Sequence, residues 1–167
     1  MSATPAPRPR TLLEEAVDLP ELEAAVGEVL IEEGTHVGRL LVLVSGTVQV
    51  ERDGVAVVRV SEPGAVFGEM SLVLEKPATA TVRVVEPTVV KVADDPMGFL
   101  AIHPGAALLM LRVSAHRVDA MTRYLVDVRQ QYADAEGHLG MVDTVLDVLA
   151  NQQVPPARPG SARDPGC

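Results

Sequence analysis

The sequence predicts an α+β fold that is mainly β: a sandwich or barrel of antiparallel strands with a short helix before it and helices after it. Three observations predict this. Short β-branched segments separated by turn residues fill the stretch from Pro20 to Val92. An Asp53-Gly54 pair sits between two such segments. After Ala93-Asp94-Asp95 the apolar pattern becomes helical. At 167 residues the chain suits one domain with a proper core and a helical appendage. Hydrophobic residues make up 47% and aromatic residues only 2%, so that core is built from Val, Leu, Ala and Ile.

Met1 to Arg10 alternates Pro with small residues and Arg and has no apolar stretch, so it reads as a disordered lead and not as a secretion signal. Thr11 to Val17 predicts a short helix with Thr11 as N-cap and Glu14 as its capping-box partner, closed by Pro20. Strands follow: Val29 to Ile31 ends at Glu33-Gly34, and Leu40 to Val44 ends at Ser45-Gly46. Thr47 to Arg52 and Val55 to Val60 flank Asp53-Gly54, which favours a two-residue type I′ hairpin because both central residues need positive φ. Glu86-Pro87 then separates Thr79 to Val85 from Thr88 to Val92.

Asp95 as N-cap and Pro96 at the first helical position start a helix that runs to about Ile102. His103-Pro104-Gly105 breaks it. In the longer helix beyond, Leu108, Leu111, Ala115, Val118, Thr122, Leu125, Arg129 and Tyr132 recur at heptad spacing, a seam for packing against another helix. Leu109, Met110, Val113 and Met121 give the same helix a second apolar side, more than one sheet can cover, and this predicts a homodimer through Leu108 to Tyr132. Gly137 and Gly140 precede a last amphipathic helix, Met141 to Ala150, and the Pro-rich remainder reads as a disordered tail. The expected segments are a lead at 1–10, the β domain with its short helices at 11–102, the C-terminal helices at 103–152 and a tail at 153–167.

Several functions are disfavoured. A net charge of −9 argues against non-specific attraction to nucleic acid or anionic lipid, and Arg112, Arg117, Arg123 and Arg129 are dispersed among Asp119 and Asp127 as a solvated face. No apolar run approaches the roughly 18 residues of a membrane span. Cys167 is the single cysteine, so no internal disulfide forms and a reducing cytoplasm is the simplest setting. A transition metal needs at least three convergent ligands, whereas His36, His103, His116 and His138 stand alone. Ser45, Ser61, Ser71 and Ser114 lack a nucleophile-elbow pattern, Asp94-Asp95 reads as a turn and cap, and Gly64-x-x-x-Gly68 has no Gly-Lys-Ser sequel. The expectation is no catalytic residue, no metal and no enzyme.

What remains is the stretch Pro63-Gly64-Ala65-Val66-Phe67-Gly68-Glu69-Met70-Ser71-Leu72, followed by Pro77-Ala78-Thr79-Ala80-Thr81-Val82. It resembles the phosphate-binding cassette of the cyclic-nucleotide-binding domain family, whose usual form is Phe-Gly-Glu-(Leu/Met)-(Ala/Ser)-Leu, a short spacer, then Pro-Arg-(Ala/Ser/Thr)-Ala-Thr-Val. Gly27, Gly34 and Gly46, with Gly64 and Gly68, match the family's turn positions, and the resemblance covers about Gly27 to about Arg129. It implies an antiparallel β-roll or jelly-roll with a ligand site at Phe67, Gly68, Glu69, Met70, Ser71, Ala78 and Thr79. The Phe-Gly-Glu segment would open a short helix whose free N–H groups meet a cyclic phosphate. Gly68 would allow close backbone approach, and Glu69 would accept a hydrogen bond from the ribose 2′-hydroxyl.

The departure is Ala78, which stands where the family carries arginine. Lys76 is the substitute cation the loop offers. Arg83 is expected outside the roll because Val82 and Val84 are the inward residues. By analogy with Crp-type proteins, Thr122 would meet the purine from a neighbouring subunit, and the chain is similar to the sensor half of such a regulator without its DNA-binding half, so no DNA partner is expected for this chain alone. The resemblance thus implies a non-catalytic regulatory sensor for cyclic AMP or cyclic GMP with weakened or altered binding. The other readings are a ligand-independent scaffold or interaction protein and a pocket retuned to a different ligand.

Overall fold

The computed structural model describes residues 11–131. Thr11 caps a short helix, α1 (Leu12–Glu15), through both bonds of a capping box: the Glu14 N–H donates to Thr11 Oγ1 at 3.3 Å and the Thr11 N–H to Glu14 Oε2 at 2.8 Å. The strands are β1 (Glu21–Ala24), β2 (Val29–Ile31), β3 (Leu40–Arg52), β4 (Val55–Val60), β5 (Val66–Phe67) and β6 (Thr81–Ala93). Helix α2 (Glu69–Leu74) lies between β5 and β6, and α3 (Pro96–Ile102) and α4 (Pro104–Gln131) follow the sheet. The expected lead, Tyr132 of the seam, the Met141 to Ala150 helix and the tail lie outside the described residues.

All six strands pair antiparallel in one sheet of order β1-β6-β3-β4, with β2 added on β6 and β5 on β3. Its two ends, β1 and β4, do not pair with each other, so the roll is open. The β3–β4 connection is the expected hairpin, with Arg52 opposite Val55 and positive φ at Asp53 (51°) and Gly54 (74°).

Two expectations are corrected. Ser45-Gly46 and Glu86-Pro87 do not end strands; they lie within β3 and β6, each a single strand of 13 residues. The two irregular dipeptides face one another, and the β3–β6 register shifts between Leu43 and Ser45, Ser45 and Thr47, and Thr47 and Val48. They act as a bulge that bends both strands together, which is where a strand tolerates Pro and Gly. The short strands β1 and β5 carry no clear alternation over four and two residues and were not among the expected elements.

The core follows from strand alternation. Leu41, Leu43, Val48, Val82, Val84, Val90 and Val92 point into the roll with Leu30, Ile31, Phe67 and Ala78. Leu40, Val42, Val66 and Ala93 point the other way, onto Leu12 and Ala16 of α1, Phe99 of α3, and Ala106 and Met110 of α4. Leu40 to Leu43 are therefore fully buried on both faces, each side chain contributing about 1.5–3 kcal/mol of hydrophobic stabilisation. Asp95 caps α3 through its carboxylate, accepting from the Gly98 N–H at 3.0 Å, with Pro96 at the first position as expected.

The chain divides into two compact units between Ser114 and Ala115. In the first, the start of α4 buries Ala106 and Met110 in the helix-side core and leaves Leu108 and Leu111 exposed. The described part of the second is the remainder of α4, on which Val118, Met121, Tyr124 and Val126 are exposed. Among the described residues no single helix is long and apolar enough to cross a membrane.

Candidate functional site

The cassette is a strand, a glycine, one and a half turns of helix and a loop. Phe67 of β5 is buried in the roll, paired opposite Leu41. Gly68 then takes φ 92°, caps α2 without any side-chain bond, and turns the chain so that Glu69 is the first helical residue. A Cβ on Gly68 would lie 2.7 Å from the Arg39 carbonyl oxygen and 3.4 Å from Val37 Cγ1, so both its dihedral and its neighbours require glycine. Glu69 is half-buried and Met70 is exposed.

Ser71 is buried and serves the loop: its hydroxyl donates to the Lys76 carbonyl, while the Lys76 N–H returns a bond to the Ser71 carbonyl at 3.3 Å. Glu75, at φ 50°, ends the helix in the left-handed conformation. These contacts fix the spacer, after which Pro77 is exposed and Ala78 is buried.

Ala78 is held from both sides. Its N–H donates to the Thr35 carbonyl at 2.8 Å and its carbonyl accepts from the Gly34 N–H at 2.9 Å. Only 9% exposed, its methyl belongs to the roll core with Ile31, Phe67 and Val82. Position 78 is thus a small apolar group at the wall of the roll. Thr79 is half-buried next to it, and Thr81 Oγ1 accepts from the Glu33 N–H at 3.1 Å.

The other named residues separate into two groups. Lys76 is exposed on the cassette loop. Arg83 points outward as strand alternation requires, donating to the Gly27 carbonyl at 3.2 Å and pairing with Glu51 at 3.5 Å, while Val82 and Val84 are buried. Thr122 belongs to the second unit, where its hydroxyl donates to the Val118 carbonyl one turn earlier at 2.9 Å.

Sequence reasoning missed the Gly34-Thr35 clamp on Ala78 and the Arg39 carbonyl against Gly68. Arg39 is the further cation of this region, and Nη2 donates to the Leu30 carbonyl at 3.4 Å. Nothing in the local pattern marks contacts between residues 29 to 44 positions apart. Among the described residues no group of three His, Cys, Asp or Glu is arranged to hold a metal ion.

Residues 21–96, from β1 to the start of α3, match the family model of the cyclic nucleotide-binding domain. The segment belongs to the cyclic nucleotide-binding domain family. Acetyltransferase Pat of Mycolicibacterium smegmatis is 35% identical over 127 residues, which are 73% of this chain and 38% of the acetyltransferase. The chain therefore spans about two fifths of the length of that curated relative. A mutant of the cAMP-binding acyltransferase from Mycobacterium smegmatis superposes with a TM-score of 0.52 at 32% identity, over 65% of this chain and 36% of the acyltransferase. The catabolite activator protein of Thermus thermophilus superposes with a TM-score of 0.57 at 20% identity, over 82% of this chain and 81% of that one, a likeness of fold. The open antiparallel roll with flanking helices is the β-roll of this domain family.

Proposed function

We propose that the chain is a non-catalytic, cytoplasmic regulatory module in which cyclic AMP or cyclic GMP binds beside Glu69 with weakened affinity, and that it works as a homodimer through α4. The observation that carries this reading is the combination of an intact cassette backbone with Ala78 at the arginine position. Gly68 takes a left-handed turn before α2, which would let a phosphate approach the first N–H groups of that helix, and Glu69, the glutamate of the cassette pattern, would meet the ribose. A bidentate arginine would add two charge-assisted hydrogen bonds, each worth about 1.5–3 kcal/mol. Without them the affinity falls by roughly a hundredfold or more. Lys76 supplies a point charge from the exposed loop, a poorer match to a phosphate edge than a planar fork.

The relatives favour this class of ligand, since one of them is named as a cAMP-binding acyltransferase. Acyl transfer is not part of the proposal: only about two fifths of that kind of protein corresponds to this chain. Specific DNA binding is not part of it either, because the net charge is −9. The scaffold reading is favoured by one observation, the burial of Ala78 in the roll core, which fits a site closed over in favour of packing.

Calorimetric titration of the wild type with cyclic AMP, cyclic GMP and cyclic di-GMP tests the proposal. Weak, saturable binding of cyclic AMP or cyclic GMP that Glu69→Ala abolishes is the expected result. No heat with any of the three supports the scaffold instead.

A further inference from the structure

Three polar or charged side chains are buried among the described residues, and only one of them is a carboxylate, Glu15 of α1, 7% exposed. Its carboxylate is lodged against the junction of α3 and α4. Oε2 lies 3.6 Å from Nδ1 of His103, the residue between the two helices, and the His103 ring is itself held against Phe99, with ring centroids 4.9 Å apart. Oε1 occupies the space beside Gly105 in the first turn of α4: a Cβ on that residue would come within 2.6 Å of it. A negative group in this position complements the free N–H groups and the positive end of a long helix.

The segment that follows α1 is clasped from the sheet. Lys91 of β6, its side chain 13% exposed, donates from Nζ to the Val17 and Leu19 carbonyls at 3.1 and 3.2 Å and pairs with Glu21 at 3.3 Å. The Val92 N–H adds a bond to the Pro20 carbonyl at 2.9 Å. One short helix is thus tied to the start of α4 through its last residue, Glu15, and to β6 through the segment that follows it.

We propose that Glu15 is a conformational latch: its buried carboxylate locks the first turn of α4 to α1, so that α1, the Lys91 end of β6 and the beginning of α4 move as one body. Gly105 is the complementary part, because a Cβ there requires the carboxylate to shift. β6 begins at Thr81, where the cassette ends, so the clasp gives a displacement of that strand a path to α4; this consequence rests on the proposed function, whereas the latch does not.

The test needs no nucleotide. Replacing glycine by alanine inside a helix ordinarily raises stability. With the latch in place, Gly105→Ala lowers Tm in the wild type and raises it in a Glu15→Ala background, a reversal of sign within one double-mutant cycle. Hydrogen exchange gives the second readout, with Glu15→Gln keeping the shape and removing the charge. Amides of residues 105–110 exchange faster in Glu15→Gln and Gly105→Ala, while those of Leu41 and Val48 in β3 keep their protection. An equal effect of Gly105→Ala in both backgrounds, of either sign, overturns the proposal. So does exchange at 105–110 that is unchanged or accelerated evenly across the roll.

Discussion

Gly68 and Gly38 show how much a single position can demand. Gly68 combines φ 92° with a carbonyl oxygen 2.7 Å from where a Cβ would sit; Gly38 has open space around it and an ordinary φ. Left-handed backbone costs a residue with a side chain about 1–2 kcal/mol, and forced packing about 1–3 kcal/mol more. Gly68→Ala is therefore expected to destabilise the domain by about 2–5 kcal/mol in urea denaturation, with an unchanged m-value, and Gly38→Ala by less than about 0.5 kcal/mol. Both glycines sit in turn-rich sequence, and Gly68 was legible as special only through the cassette pattern around it. Ala78 was legible as a departure from that pattern, but its burial was not, because the clamp from Gly34 and Thr35 spans 44 and 43 positions of chain.

Elements whose signals are local were read well. The Thr11 capping box, the Asp53-Gly54 hairpin and the Asp95-Pro96 helix start each follow from adjacent residues, and each is present. Breakers misled where tertiary pairing overrode them: Gly46 and Pro87 read as strand ends, yet they face one another and bend β3 and β6 together. The seam on α4 is a further local signal. Its heptad residues divide from Met110 and Ala106, which the helix-side core takes, and Leu111 is 64% exposed. Exposed leucine, valine and tyrosine along one helix are the kind of apolar surface that a second helix covers. Leu111→Asp with Leu125→Asp is expected to halve the mass measured by light scattering while the circular dichroism of the roll is retained, since Leu111 contributes little to the core of its own unit. A wild type already monomeric would contradict the dimer.

For the molecule as a whole, the open roll is the fold of the cyclic nucleotide-binding domain, and the proposed function turns on the chemistry of one position. Ala78 is a methyl packed in the roll core that, under the proposed function, stands where phosphate recognition calls for a guanidinium. Ala78→Arg is expected to destabilise the ligand-free domain, because a charged chain enters a wall built for a methyl. It should at the same time supply the missing fork to a cyclic phosphate. The most direct measurement is a side-by-side titration of wild type and Ala78→Arg with cyclic AMP and cyclic GMP at fixed salt. A gain of roughly a hundredfold in affinity for one of them, lost again when Glu69→Ala is added, is the predicted result; wild-type binding as tight as that of Ala78→Arg would contradict it.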